Sequence, residues 1–156
     1  MTTQICCPCN PKNSFEECCN RYHSGLLPES AGHLMRARYS AYAKQNIDFI
    51  RDTTLPIQQA GLDIAGISEW SLNSQWLGLE VIAEHTSTDQ RHATVEFIAH
   101  WQDAEGHQQH QEKSLFINVD ERWYFYDPTV PLQAERNAAC PCGSTLKFKK
   151  CCGPYL

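Results

Sequence analysis

Ala93-Thr94-Val95-Glu96-Phe97-Ile98-Ala99-His100-Trp101 places an apolar side chain at every second position: Ala93, Val95, Phe97, Ala99 and Trp101. Successive side chains of a strand point to opposite faces, so this spacing predicts a long strand with one buried face. The pattern extends both ways. Upstream, Leu77, Leu79, Val81 and Ala83 alternate with Gly78, Glu80 and Glu84, which predicts a half-buried strand from Trp76 to the turn Ser87-Thr88-Asp89-Gln90. Downstream, Asp103-Ala104-Glu105-Gly106 turns the chain into a third strand over 108–119, with Leu115, Ile117 and Val119 on one face. Asp120-Glu121 leads into a fourth, Trp123–Asp127, closed by Pro128. Short turns between consecutive strands predict an antiparallel meander.

The chain before the meander reads as helical. Ser30 is a cap residue, and the stretch from Ala31 to about Gln45 puts Met35, Tyr39, Tyr42 and Ala43 on one face, away from Arg36, Lys44 and Gln45. A shorter helix is expected over Ile47–Asp52, stopped near Pro56. A third is expected over 57–74, with Ile64, Ile67 and Trp70 inward. Helices followed by a meander predict an α+β domain. The expected division is 1–25, 26–133 and 134–156, the two ends being small cysteine-rich appendages.

Those ends repeat one phrase. Cys7-Pro8-Cys9 is followed after eight residues by Cys18-Cys19, and Cys140-Pro141-Cys142 after eight residues by Cys151-Cys152. Eight of the nine cysteines thus fall into two four-thiol sets, and four thiols at this spacing suit one tetrahedral zinc ion per set. Iron–sulfur ligation and redox or disulfide thiols are the alternatives. A filled four-cysteine shell has no open position, so such sites are structural. Gly143-Ser144 supplies a turn whose amides can point at sulfur. Four thiolates on a divalent ion leave a local charge of −2, which Lys147, Lys149 and Lys150 are placed to offset at the second set; the first has only Lys12 nearby, against Glu16 and Glu17. The ninth thiol, Cys6, reads as a bystander.

Net charge is −5, distributed unevenly. The last 23 residues carry Arg136, Lys147, Lys149 and Lys150 against Glu135, while 26–133 is strongly acidic. An acidic body does not wrap nucleic acid, so only the C-terminal end offers a basic contact. No apolar run approaches the roughly 18 residues of a membrane span, and Met1-Thr2-Thr3-Gln4 lacks the parts of a signal peptide. Nine cysteines then imply a reducing compartment, the cytoplasm.

Cys140-Pro-Cys142-Gly-Ser-Thr-Leu-Lys-Phe-Lys-Lys-Cys151-Cys152-Gly153 resembles the SEC-C motif, the zinc-binding tail of the translocase motor SecA. With a second copy at the N-terminus and His33-Leu34-Met35-Arg36-Ala37-Arg38-Tyr39-Ser40-Ala41-Tyr42 between them, the whole chain resembles the YchJ family. The resemblance implies a nuclear-transport-factor-2-like middle domain, a curved sheet wrapped on helices into a cone. It carries Cys140, Cys142, Cys151 and Cys152 over as metal ligands; by the repeated spacing Cys7, Cys9, Cys18 and Cys19 follow. The second set has Thr145-Leu146 where the family usually has Gly-Lys, and the first has Asn10-Pro11 where Gly-Ser is usual. The SecA tail contacts a chaperone and the ribosome, which by analogy makes a protein partner the first functional expectation: an adaptor that docks through its knuckles.

Two other functions stay open. A cone of this kind can hold a small-molecule or enzymatic pocket, with Arg36, Arg38, Tyr39, Glu96, His100 and Trp101 as candidates. The plainer expectation is a solvated face for Arg36 and Arg38, a core position for Tyr39 and Trp101, and an outer strand face for Glu96 and His100. Nucleic-acid contact through Lys147, Lys149 and Lys150 is the third. His107 and His110 point to opposite strand faces and do not form a metal pair. No catalytic triad, phosphate loop or carboxylate dyad stands out, and no catalytic residue is assigned.

Overall fold

The computed structural model describes residues 4–156; Met1, Thr2 and Thr3, read above for signal-peptide features, lie outside it. A small ribbon of β1 (Cys6–Cys7) and β2 (Asn10–Ser14) leads into α1 (Cys19–His23), and then into the longest helix, α2 (Ala31–Lys44). Ser30 caps α2 by accepting the His33 amide at 3.2 Å, and Gln45 ends it in the left-handed region at φ +59°. The helix is buried on almost every side, not along one stripe: Leu34, Ala37, Arg38, Tyr39, Ser40 and Ala41 are all covered. One flank faces the sheet. The other lies under the N-terminal thiol turn, where His23 Nε2 meets the Ala37 carbonyl at 2.8 Å.

Next comes α3 (Ile47–Asp52), over the residues expected, capped by Asn46. The helix expected over 57–74 splits into a 3-10 turn, Pro56–Gly61, and α4 (Ile64–Asn73). The break has a local cause: the Asp63 carboxylate takes the Gly66 amide at 3.0 Å and starts a new helix there.

The sheet is the expected meander, in the order β3 (Gln75–Thr86), β4 (His92–Asp103), β5 (Gly106–Val119), β6 (Arg122–Phe125). Asp120 and Glu121, both at positive φ, form the tight turn between β5 and β6. On β4, Val95, Phe97, Ala99 and Trp101 face the helices, and their partners Ser114, Glu112, His110 and Gln108 set the inner face of β5. β3 departs from the expected phase. Register shifts at Trp76/Gly78 and Val81/Ala83 each insert an extra residue, so Trp76, Leu79 and Val81 oppose the inward residues of β4. Leu77 is left 47% exposed and Ala83 open to solvent.

Leu115, Ile117 and Val119 do share one face of β5, and it is the outer one. Leu55, Tyr124 and Tyr126 join them to form an apolar seat for the C-terminal thiol turn. Both cysteine-rich ends are therefore packed onto the domain, one over α2 and one over the back of the sheet. Among the described residues no helix is long and apolar enough to cross a membrane.

Candidate metal centres and cone cavity

Four sulfurs at about 2.3 Å from a tetrahedral ion lie about 3.8 Å from one another. The two sets already have this spacing. In the first, Cys9 Sγ lies 3.6 Å from Cys7, 3.6 Å from Cys18 and 3.5 Å from Cys19, with Cys18 and Cys19 4.0 Å apart. In the second, Cys151 Sγ lies 3.5 Å from Cys142 and 3.9 Å from Cys152. Within each set all four sulfurs fall within 4.8 Å of one another. The β1–β2 ribbon presents Cys7 and Cys9, and the entry of α1 presents Cys18 and Cys19. At the other end, a turn with Gly143 at φ +91° and Thr145 at φ +72° brings Leu146 back to accept the Cys140 amide at 2.7 Å. Cys6 is exposed and belongs to neither set.

Groups other than the thiols complete each site, some local and some distant in sequence. Ser40 Oγ on α2 is 3.5 Å from Cys7 Sγ, and Asn13 Nδ2 is 3.9 Å from Cys18 Sγ. At the second set His92 Nε2 reaches Cys152 Sγ at 3.3 Å, Arg91 Nη2 reaches Cys151 Sγ at 3.8 Å, and Ser144 Oγ lies 3.1 Å from Cys151 Sγ. His92 is held flat against Tyr155, ring centroids 4.2 Å apart. The cation beside the second set is thus Arg91, and none of Lys147, Lys149 and Lys150 hydrogen-bonds a sulfur among the described residues. Arg91 and His92 carry no local signal; only the start of β4 against the knuckle brings them to the thiols.

The thiols cannot all ionise unaided. Hydrogen bonding with Cys19 and then with Cys9 holds Cys7 far below the ordinary thiol range, while Cys19, which keeps its proton in the bond with Cys7, is pushed far above it. Cys142 is drawn down to about 4 by the Cys152 thiol, which rises in turn. Cys7 and Cys142 are thus the thiols that ionise most readily, and a cation among the sulfurs favours ionisation of Cys19 and Cys152 as well. Cys7, Cys9, Cys18 and Cys19, and Cys140, Cys142, Cys151 and Cys152, can hold one metal ion each. When bound, such an ion supplies a cross-link and no open coordination position.

The inner face of the sheet does not close fully on the helices. A cavity of about 490 Å³ remains, walled by Met35, Phe97, Phe125 and three tryptophans, Trp70, Trp76 and Trp101, with Arg38, Asp63, His110, Glu112, Ser114 and Asp127 as its polar groups. Of the pocket candidates, Arg38, Tyr39 and Trp101 line it. Arg38 is not on a solvated face: it is 5% exposed, and burial lowers its guanidinium to about 10, so it stays charged at neutral pH. Tyr39 accepts the Gly78 amide at 2.8 Å, and burial raises its hydroxyl to about 12. Arg36 sits beside the first thiol set, not in the cavity. Glu96 does not line the cavity, and His100 is paired with Glu80 at 2.8 Å on the outer side. His107 lies against His100, ring centroids 5.5 Å apart, while His110 lines the cavity, in keeping with opposite faces. Glu112 and Ser114 were not legible as site residues, because strand register alone brings them together; nor was Asp127, which lies past the end of β6 and whose amide donates to Gln58.

A family model described as YchJ, middle NTF2-like domain, matches residues 30–128, and the SEC-C motif matches 136–154. A crystal structure of a SEC-C motif containing protein from Psychrobacter arcticus has a TM-score of 0.86 at 40% identity and covers 97% of each chain. A solution structure of a SEC-C motif containing protein from Rhodopseudomonas palustris has a TM-score of 0.71 at 31% identity, covering 79% of this chain and 96% of the other. An NTF2-like sheet wrapped on helices, closed at its C-terminal end by a SEC-C thiol turn, places this chain in the YchJ family.

Proposed function

We propose that both thiol sets hold zinc as structural ions, and that they brace a domain whose working part is the cavity: a zinc-braced receptor for a small organic ligand. The carrying observation is the cavity of about 490 Å³, in which ionisable groups converge on apolar walls, the usual make-up of a small-molecule site. The knuckles support this division of labour. Each is seated on the body through buried cysteines, which suits a brace better than a free arm. Zinc is preferred to an iron–sulfur cluster because sulfurs 3.5–4.0 Å apart surround one ion, whereas the several irons of a cluster would spread them. A reducing, cytoplasmic setting suits all nine thiols.

Two experiments test this. Elemental analysis of protein purified without added metal should give two zinc ions per chain, and an iron-containing, coloured protein would refute the zinc assignment. A panel of neutral, cationic and anionic aromatic fragments should shift backbone NMR signals of cavity residues; silence across the panel would refute the receptor.

A second reading has its own observation. Leu146, Tyr155 and Leu156 are 40–49% exposed on the C-terminal turn, beside exposed Lys147 and Lys150, and such a surface suits an acidic protein partner of the chaperone or ribosomal kind. It would make the protein an adaptor. Capture of a partner lost on neutralising Lys147, Lys149 and Lys150 would favour it. Binding of RNA instead, with steep salt dependence, would favour the nucleic-acid alternative.

A further inference from the structure

The charge at the bottom of the cavity lacks a counter-ion. Arg38 projects from the inner flank of α2, and its Nη1 donates to the Ile50 carbonyl at 2.8 Å, to Thr53 Oγ1 at 2.7 Å and to Thr54 Oγ1 at 3.4 Å. Its Cζ lies 4.2 Å from the centroid of the Phe125 ring. Nη2 and Nε make no hydrogen bond among the described residues, and no carboxylate lies within 4.0 Å. Buried charges are ordinarily paired as well as hydrogen-bonded. Asp127 acts on Arg38 only from beyond that distance, and its Oδ1 is already engaged by the amide and hydroxyl of Thr129.

A second group in the same cavity is also without a partner. Ser114, on the inner face of β5, is 4% exposed, and its Oγ makes no hydrogen bond among the described residues. Buried hydroxyls seldom stay unsatisfied; this one is closed off from the cavity that its residue lines, and a rotation about χ1 would turn it toward an acceptor there. Two donors with free capacity therefore line one space.

The remaining walls define what the acceptor is attached to. Tyr42, Trp70, Trp76 and Trp101 touch ring to ring, with neighbouring centroids 5.1–5.8 Å apart. Rings that close on one another form a continuous wall and leave no cage between them for an ammonium group. Asp63, Glu112 and Asp127 also line the space; Asp63 is engaged by the Gly66 amide, Asp127 by Thr129, and Glu112 lies 3.6 Å from His110 Nε2, so the occupant is limited to the single negative charge that Arg38 can meet.

Resting on the receptor reading above, we propose that the cavity takes a flat, apolar monocarboxylate. Its carboxylate is held by the free edge of Arg38 and the Ser114 hydroxyl, and its aromatic body lies along the tryptophan wall. Planar two-nitrogen recognition of a carboxylate is what a guanidinium does best.

The test uses the full metal-loaded chain and three isosteric probes, 2-naphthoate, 2-naphthamide and 2-naphthylmethylammonium, followed by NMR titration. The expected result is naphthoate binding at least tenfold tighter than the amide and tighter again than the cation, with shifts at Phe97, Trp101 and Ser114. Arg38→Met should bring the acid to the level of the amide. Ser114→Ala, a smaller change that keeps the test alive if Arg38→Met does not fold, should weaken the acid severalfold and the neutral amide, a poorer acceptor, by less. An amide or cation that binds as tightly as the acid overturns the carboxylate assignment while the receptor stands. No probe shifting any cavity residue overturns both.

Discussion

Thr145 holds φ at +72°, where a β-branched side chain crowds its own backbone, and it does so within the turn that carries the second thiol set. Glycine meets the same angle without that crowding. Thr145→Gly should therefore stabilise the protein by about 1 kcal/mol, the relief of strain outweighing glycine's entropic cost. On that scale the midpoint of thermal unfolding should rise by roughly 2–4 °C in a chain of this size. A fall would mean that the Thr145 side chain contributes more than its conformation costs. His92 is the other single residue with a distinct role. Opposite a metal-bound thiolate, its Nε2 must donate, 3.3 Å from Cys152 Sγ. Groups of this kind typically change metal affinity by about 10–100-fold. His92→Phe should weaken zinc at the second set by about tenfold and leave the first untouched, as competition with a graded chelator would show. Equal loss at both sets would point to general destabilisation.

At the scale of elements, the outer stripe of β5 joins the sheet to the C-terminal turn. Ile117 is 1% exposed and belongs to the same buried cluster as Cys140, Cys142, Cys151 and Cys152. Ile117→Ala should cost about 2–5 kcal/mol in denaturant unfolding. It should also speed zinc release from the second set; unfolding that shifts while release stays constant would show that the seat and the site are energetically separate. The strands themselves were legible because β4 alternates without interruption and its register with β5 is continuous. β3 was legible as a strand, but not in phase, since the extra residues at Leu77 and Ile82 leave no mark in the composition of the stretch. Helix α2 was placed within a residue of its end, yet its amphipathic reading missed that the thiol turn covers the flank opposite the sheet.

For the whole molecule, the repeated cysteine spacing was sufficient to find both thiol sets, since each set is nearly local in sequence. The electrostatics of the sites were not: Arg91 and His92 stand 60 residues from the sulfurs they meet. That difference bears on the order of metal loss. At the second set a cation and an imidazole hydrogen-bond the sulfurs, whereas at the first, among the described residues outside the set, only Ser40 and Asn13 do so, Arg36 lying beside it without such a bond. The N-terminal ion should accordingly be stripped first as chelator strength increases, read out by following the two sets separately with Cys→Ser variants. Release of the C-terminal ion first would count against this account.

The placement of the two ends also bears on how the protein is handled. A fragment trimmed to residues 30–128, the span of the middle-domain match, would leave Ala37 and Ser40 bare on one side and Leu115 and Ile117 on the other. Such a truncation exposes two sticky surfaces at once and invites clumping in the test tube. Assays and crystals are best attempted on the untrimmed polypeptide, kept under reductant, with its sulfur clasps intact.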